Sequence, residues 1–275
     1  MRCSALLIST VLLTTAVVAA EPKAESAGKN RALIVVGLPG DAEHEKLFAE
    51  TARQWRDSLT KKLDFEVTVL FGRSGRPQLA DTGATRESIQ RAVADLKKSL
   101  RAEDRLWVLF LGHGDYDGER ASFHLPGRDL HADDLGKLSG SIKCREQVFW
   151  MTHSASSSFL KPLSLEGRIV ITATAAEEEV NETEFPHSLA TVLEKLGPPK
   201  DTRVSVLDIY FRTVAEVDAR FAADKRVSTE HAQLDDNGDG VGTEEPIVEK
   251  AGEKKPTADG RLAAQTFLPL AKIKK

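Results

Sequence analysis

Cysteine is nearly absent from this chain. Its 275 residues hold two, Cys3 and Cys144. Cys3 lies in an N-terminal stretch whose pattern marks it for removal, so the mature chain has no internal disulfide to draw on. Its stability has to come from a core, which this length and a hydrophobic content of 41% permit. Excess positive charge is also missing: 42 acidic against 38 basic residues give a net charge of −4. Nothing in that balance suggests a nucleic-acid binder by bulk charge, and none is expected as a partner. No internal repeat is present. Outside the N-terminus there is no apolar run of membrane-spanning length.

The N-terminus carries an export signal. Met1-Arg2 supplies a positive start, Ala5 to Ala19 is uncharged and apolar, and Val18-Ala19-Ala20 fits a small-residue cleavage site before Glu21-Pro22. The alternative is an uncleaved anchor, which the shortness of the run disfavours. No cysteine follows the run, which argues against a lipoprotein anchor. The expected organisation is a signal peptide over 1–20, a disordered segment over 21–30, a folded domain over 31–242, and a charged linker and tail over 243–275. The expected location is periplasmic or extracellular, with no stable membrane span after cleavage.

The body of the chain alternates strand and helix patterns. Short apolar runs at Ala32 to Gly37, Phe65 to Phe71, Leu106 to Leu111, Gln147 to Met151 and Gly167 to Thr174 read as buried strands. Helical spacing of apolar residues marks helices from about His44 to Leu63, after an N-cap at Thr85, over Ala132 to Leu138, around Leu189 to Leu196 and around Val206 to Phe221. Ser122 to Gly127 reads as a short hairpin or excursion, and Leu262 to Leu270 as an edge strand or a surface drape. The alternation predicts a three-layer αβα domain with a mostly parallel sheet.

Two strands end in reactive residues. The first ends in Gly112-His113-Gly114-Asp115, the second in Thr152-His153-Ser154-Ala155-Ser156-Ser157-Ser158. Ligands bind beyond the carboxyl ends of parallel strands, so a base at one end and a nucleophile at the next make a hydrolase arrangement. His113 exchanges protons near neutral pH, and its flanking glycines allow close backbone approach. Its alternative role is a packed or turn histidine. His153, adjacent to Ser154, points to the opposite face and reads as packing or rim. Cys144 lies before the second strand, not at its end, and reads as structural or incidental.

These motifs resemble the caspase-like cysteine proteases, and the legumain family most. There a buried strand ends in His-Gly, and a later one in Cys-x-Ser-Gly-Ser. His113-Gly114 matches the first motif. Ser154 takes the cysteine position, Ser156 and Ser158 match the two serines, and Ser157 replaces the glycine. The separation of the two motifs is close to the family's spacing. The resemblance covers Ala32 to Phe221 and implies a caspase-like αβα fold with a catalytic set of His113, Gly114 and Ser154. It further implies a pocket segment containing Arg-His, for which the nearest match is Glu43-His44. The arginine is not retained, so the family's preference for asparagine does not carry over. His44, Asp115, Ser156 and Glu177 are the candidate substrate-binding residues. Glu177-Glu178-Glu179 reads first as a solvated turn, and in the caspase-like arrangement that loop borders the substrate pocket.

A thiol is partly ionised near neutral pH, whereas a hydroxyl needs a well-aligned base and a group orienting that base. No orienting residue stands out, Asp115 and Asp117 lying just past the histidine. The favoured expectation is therefore a pseudoprotease that binds peptide or protein. One alternative is an active peptidase in which Ser154 attacks, His113 is the base, and the N–H groups of Gly114 and Ser154 hold the oxyanion. No cofactor is required in either case. A third reading is a calcium-stabilised extracellular interaction module. Asp235, Asn237 and Asp239 occupy positions one, three and five of a calcium loop and Gly240 position six, but position twelve is Pro246 rather than glutamate. An Asp/Asn/Gly surface turn is the simpler alternative.

Overall fold

The computed structural model describes residues 28–72, 79–176, 179–197, 203–247 and 258–270. The signal segment over 1–20 lies outside them. β1 (Asn30–Val36) leads into α1 (Ala42–Leu63), β2 (Phe65–Phe71), the two-residue β3 (Thr82–Gly83), α2 (Arg86–Ser99) and β4 (Arg105–Leu111). A small three-stranded sheet follows, formed by β5 (Gly114–Tyr116), β6 (Ala121–Phe123) and β7 (Leu130–His131). Then come α3 (Ala132–Ser139), β8 (Glu146–Met151), α4 (Ser157–Leu163), β9 (Arg168–Thr172), α5 (Phe185–Lys195), α6 (Val206–Ala223), β10 (Gln233–Asp235) and α7 (Arg261–Gln265). Among these, no helix is long and apolar enough to cross a membrane.

The main sheet runs β10-β9-β8-β4-β1-β2-β3. Every pairing is parallel except β10 on β9. Period-two alternation sends successive side chains to opposite faces, and both faces are covered, which is why the central strands read as unbroken apolar runs. On β4, Trp107, Leu109 and Leu111 join the core under α1, α5 and α6, while Leu106, Val108 and Phe110 join the core under α2, α3 and α4. Trp107 and Trp150 are fully buried on the first face. Burying such a side chain contributes about 2–3 kcal/mol.

Local chemistry explains the helix starts. Asp41 accepts the N–H groups of Glu43 and His44, so α1 begins at Ala42, two residues before the apolar pattern suggested. Thr85 caps α2 as expected, in a reciprocal box with Ser88. The excursion after β4 is the small sheet.

Part of the stretch expected as linker and tail packs onto the domain instead. Asp236 accepts the N–H groups of Gly260 and Ala263 at 2.9 and 2.7 Å, capping α7 from the end of β10, and Asp259 accepts the Asp236 N–H at 3.0 Å. Beyond α7, Phe267 forms a bridge with Ser205 and its carbonyl accepts from Arg105 at 2.8 Å. The folded unit therefore extends past residue 242.

Arg168, at the start of β9, is 2% exposed and has no carboxylate partner among the described residues. It donates to the carbonyls of Leu163 and Ser139 and to Gln147 Oε1, and lies 4.6 Å from the Phe149 ring centroid. This side chain joins the ends of α3 and α4 to β8. Burial lowers its pKa to about 10.

Candidate functional site

β4 and β8 are neighbours in the centre of the sheet, so His113 and Ser154 leave the same carboxyl edge. Their side chains go different ways. The half-buried His113 ring packs against Phe48 and His44 of α1, with centroids 5.2 and 5.3 Å apart. Burial lowers its pKa and favours the neutral ring, with an opposing attraction from Glu182.

Ser154 is 3% exposed and is paired with Gly114. Its Oγ donates to the Gly114 carbonyl at 2.9 Å and accepts the Gly114 N–H at 3.1 Å. Among the described residues no hydrogen bond joins His113 to Ser154. Gly114 has to be glycine: a Cβ there would lie 2.6 Å from His153 Nδ1 and 2.7 Å from the Ser154 carbonyl oxygen. His153 is completely buried between Phe123 and Phe159. Its Nδ1–H donates to the Ser154 carbonyl at 2.8 Å, and its Nε2 has no partner among the described residues. Burial drives its pKa down to about 4, so this ring is neutral packing.

The chain turns sharply after Ser154. Ala155 has φ of 52°, the left-handed region, and its N–H bonds to the Glu179 carbonyl at 2.9 Å. Ser156, expected at the substrate surface, is fully buried; its Oγ accepts the N–H groups of Ala173 and Thr174 and so ties the exits of β8 and β9 together. That hydroxyl is structural. Ser157 and Ser158 reach a cleft of about 640 Å³ on the α3–α4 side, lined also by Tyr116, His131 and Lys161.

His44 bridges two carboxylates, Nδ1 to Asp41 Oδ2 at 2.8 Å and Nε2 to Glu182 Oε2 at 3.0 Å. Both contacts require a ring N–H, so they favour the imidazolium, and its pKa is raised first by Asp41 and then by Glu182. Asp115 pairs with His124 at 3.3 Å at the exposed mouth of the small sheet. Glu177 lies outside the described residues. The sequence did not signal the roles of Asp41 and Glu182, and it marked Glu179 only as part of a loop bordering the pocket, because loop geometry decides which loop carboxylates meet the site. Cys144 sits at the opposite end of β8, and burial pushes its thiol up to about 11, as befits a structural residue.

In the acidic loop, Asp235 accepts the N–H groups of Gly238 and Gly240. Asn237 Oδ1 accepts the Asp239 N–H, and Asp239 Oδ1 accepts the Val241 N–H. The loop's own amides thus engage these side chains. Among the described residues, no group of three or more His, Cys, Asp or Glu is placed to hold a metal ion.

No model of a known protein family matches this sequence, and no curated protein matches it. Solved structures do. The Drosophila initiator caspase Dronc superposes with a TM-score of 0.51 at 12% identity, covering 80% of this chain and 84% of that one. Caspase-1 from Spodoptera frugiperda gives 0.52 at 14% identity, covering 77% and 87%. At such identities the likeness is one of fold: the chain has a caspase-like α/β fold with a mostly parallel sheet.

Proposed function

We propose that this protein is an exported, legumain-like pseudoprotease in which Ser154 stands in the position of the catalytic cysteine, and that it binds peptide or protein partners. The observation that carries this reading is the pairing of Ser154 with Gly114. A serine peptidase needs the hydroxyl proton aimed at a base and a free backbone N–H for the oxyanion. Here the proton goes to a carbonyl, and the Gly114 N–H goes to the same hydroxyl. The His113 ring is packed against His44 and Phe48. A hydroxyl without an aligned base is a poor nucleophile. The cleft beside Ser157 and Ser158 supports a binding role, and its volume is in the range of ligand sites. Export rests on the Met1 to Ala20 pattern, and N-terminal sequencing of the secreted chain tests it.

The enzymatic alternative is tested with a broad set of serine-directed phosphonates. No labelling of Ser154 is expected. Labelling that disappears in His113→Ala would establish an active peptidase and overturn the proposal. Thiol-dependent cleavage gained by Ser154→Cys would support descent from a cysteine protease.

A further inference from the structure

Between β9 and α5, the described residues 173–176 and 179–184 are pinned from two sides. On the α1 side Glu182 meets His44. On the other, residues before β10 grip them twice. Glu179 accepts the backbone N–H and the ring Nδ1 of His231, at 3.2 and 2.9 Å, and also the Ala175 N–H at 3.3 Å. Glu230 accepts the N–H groups of Glu184 and Phe185 at 2.8 and 2.9 Å, at the start of α5. Glu179 is the member of this set that touches the Ser154 turn, because its own carbonyl holds the Ala155 N–H in the left-handed conformation.

We propose that Glu179 is the positioning residue of the Ser154–Ala155 turn, and that its pair with His231 sets the turn's order according to pH. Two titrations act in the same direction. The His231 pKa is raised, first by the hydrogen bond to Glu179, with Glu244 and Asp218 adding attraction and burial opposing. The pair is therefore complete in mild acid and weakens as pH rises through that raised value. Glu230 is largely buried, and its pKa is pushed up to about 8, with repulsion from Glu184 and Glu179 reinforcing burial. Glu230 therefore also gains its charge as pH rises, beside the carboxylate whose cationic partner loses its proton in the same direction. Arg226 and Arg220 face Glu184 rather than Glu179, so they do not replace that partner.

This inference uses the pseudoprotease reading only to give the turn a role; its geometry stands apart from it. The test is amide hydrogen exchange at Ala155 in the full-length chain, followed by NMR and divided by the intrinsic rate at each pH. Protection at Ala155 is expected to fall at least tenfold between pH 6 and pH 9, while α2 amides keep theirs. His231→Arg keeps a permanent charge and should hold protection high throughout. His231→Gln should flatten the profile at the lower level. His231 is exposed, so these variants test the pair even if Glu179→Gln fails to fold. Wild-type protection independent of pH, or an unchanged profile in His231→Gln, would overturn the inference. Phosphonate labelling of Ser154 would reject the pseudoprotease reading without altering this profile.

Discussion

The Ser154 hydroxyl and the Gly114 peptide unit exchange two hydrogen bonds, at 2.9 and 3.1 Å, across the carboxyl ends of two adjacent parallel strands. The hydroxyl bridges the backbone of its neighbouring strand and continues the β4–β8 connection one step beyond the ladder. Ser154→Ala should therefore leave a buried N–H and a buried carbonyl without partners and cost about 1–3 kcal/mol. Urea denaturation measures this. A gain in stability, as expected on removing a nucleophile held at the expense of the fold, would contradict the bridging role.

Gly114→Ala places a methyl group against His153, the Ser154 carbonyl and the Ser122 carbonyl, all within 2.9 Å. The clash should cost about 1–3 kcal/mol or more. Gly83→Ala is the control, since the nearest atom there is 4.0 Å away. Thermal unfolding of the two variants should separate them, and equal midpoints would refute the close packing.

His153 gives the fold a sensitivity to acid. Its folded pKa is lowered to about 4, so the stability it contributes is present above about pH 6.5 and is lost as pH falls through 4. The full loss amounts to about 3 kcal/mol. His113 and His187, also lowered by burial, act in the same direction. The wild-type melting midpoint should drop between pH 7 and pH 4.5, and His153→Gln should drop less. Parallel curves for the two proteins would place the acid sensitivity elsewhere.

Arg168→Met keeps the apolar stem but abandons the carbonyls of Ser139 and Leu163 and the Gln147 side chain. A cost of about 2–4 kcal/mol is expected in chemical denaturation, from acceptors left unpaired in the interior. A neutral outcome would mean that the guanidinium's desolvation offsets all of these bonds.

The sheet and its helices were legible because burial on both faces leaves a continuous apolar signature, as in β4 and β8. That His113 and Ser154 share an edge was legible for the same reason: both follow buried parallel strands. The partners of these residues were not. Ser154 turns to Gly114 and is followed by a left-handed Ala155, and nothing in the letters Ser-Ala-Ser specifies either. Ser156 looked like a surface serine because its motif position suggests one, yet two backbone amides of the next strand exit claim it. Glu179 and His231 are 52 positions apart, and no periodicity links them. Residues 261–265 were missed as a helix because five residues are too few to display an apolar stripe, and because their cap, Asp236, comes from another part of the chain.

The docking of α7 on Asp236 also bears on how the protein is made. Synthesis runs from the N-terminus, so β10 leaves the ribosome while its carboxylate still lacks the amides of Gly260 and Ala263. Until those residues emerge, Asp236 stays hydrated and the bond from Arg105 to the Phe267 carbonyl is unmade. A nascent chain stopped near residue 247 already has every strand of the sheet, yet it lacks the clasp over the β10 margin. Closure of the domain thus waits for residues 260–267, and a chain truncated before them should collapse but stay sensitive to protease at β10.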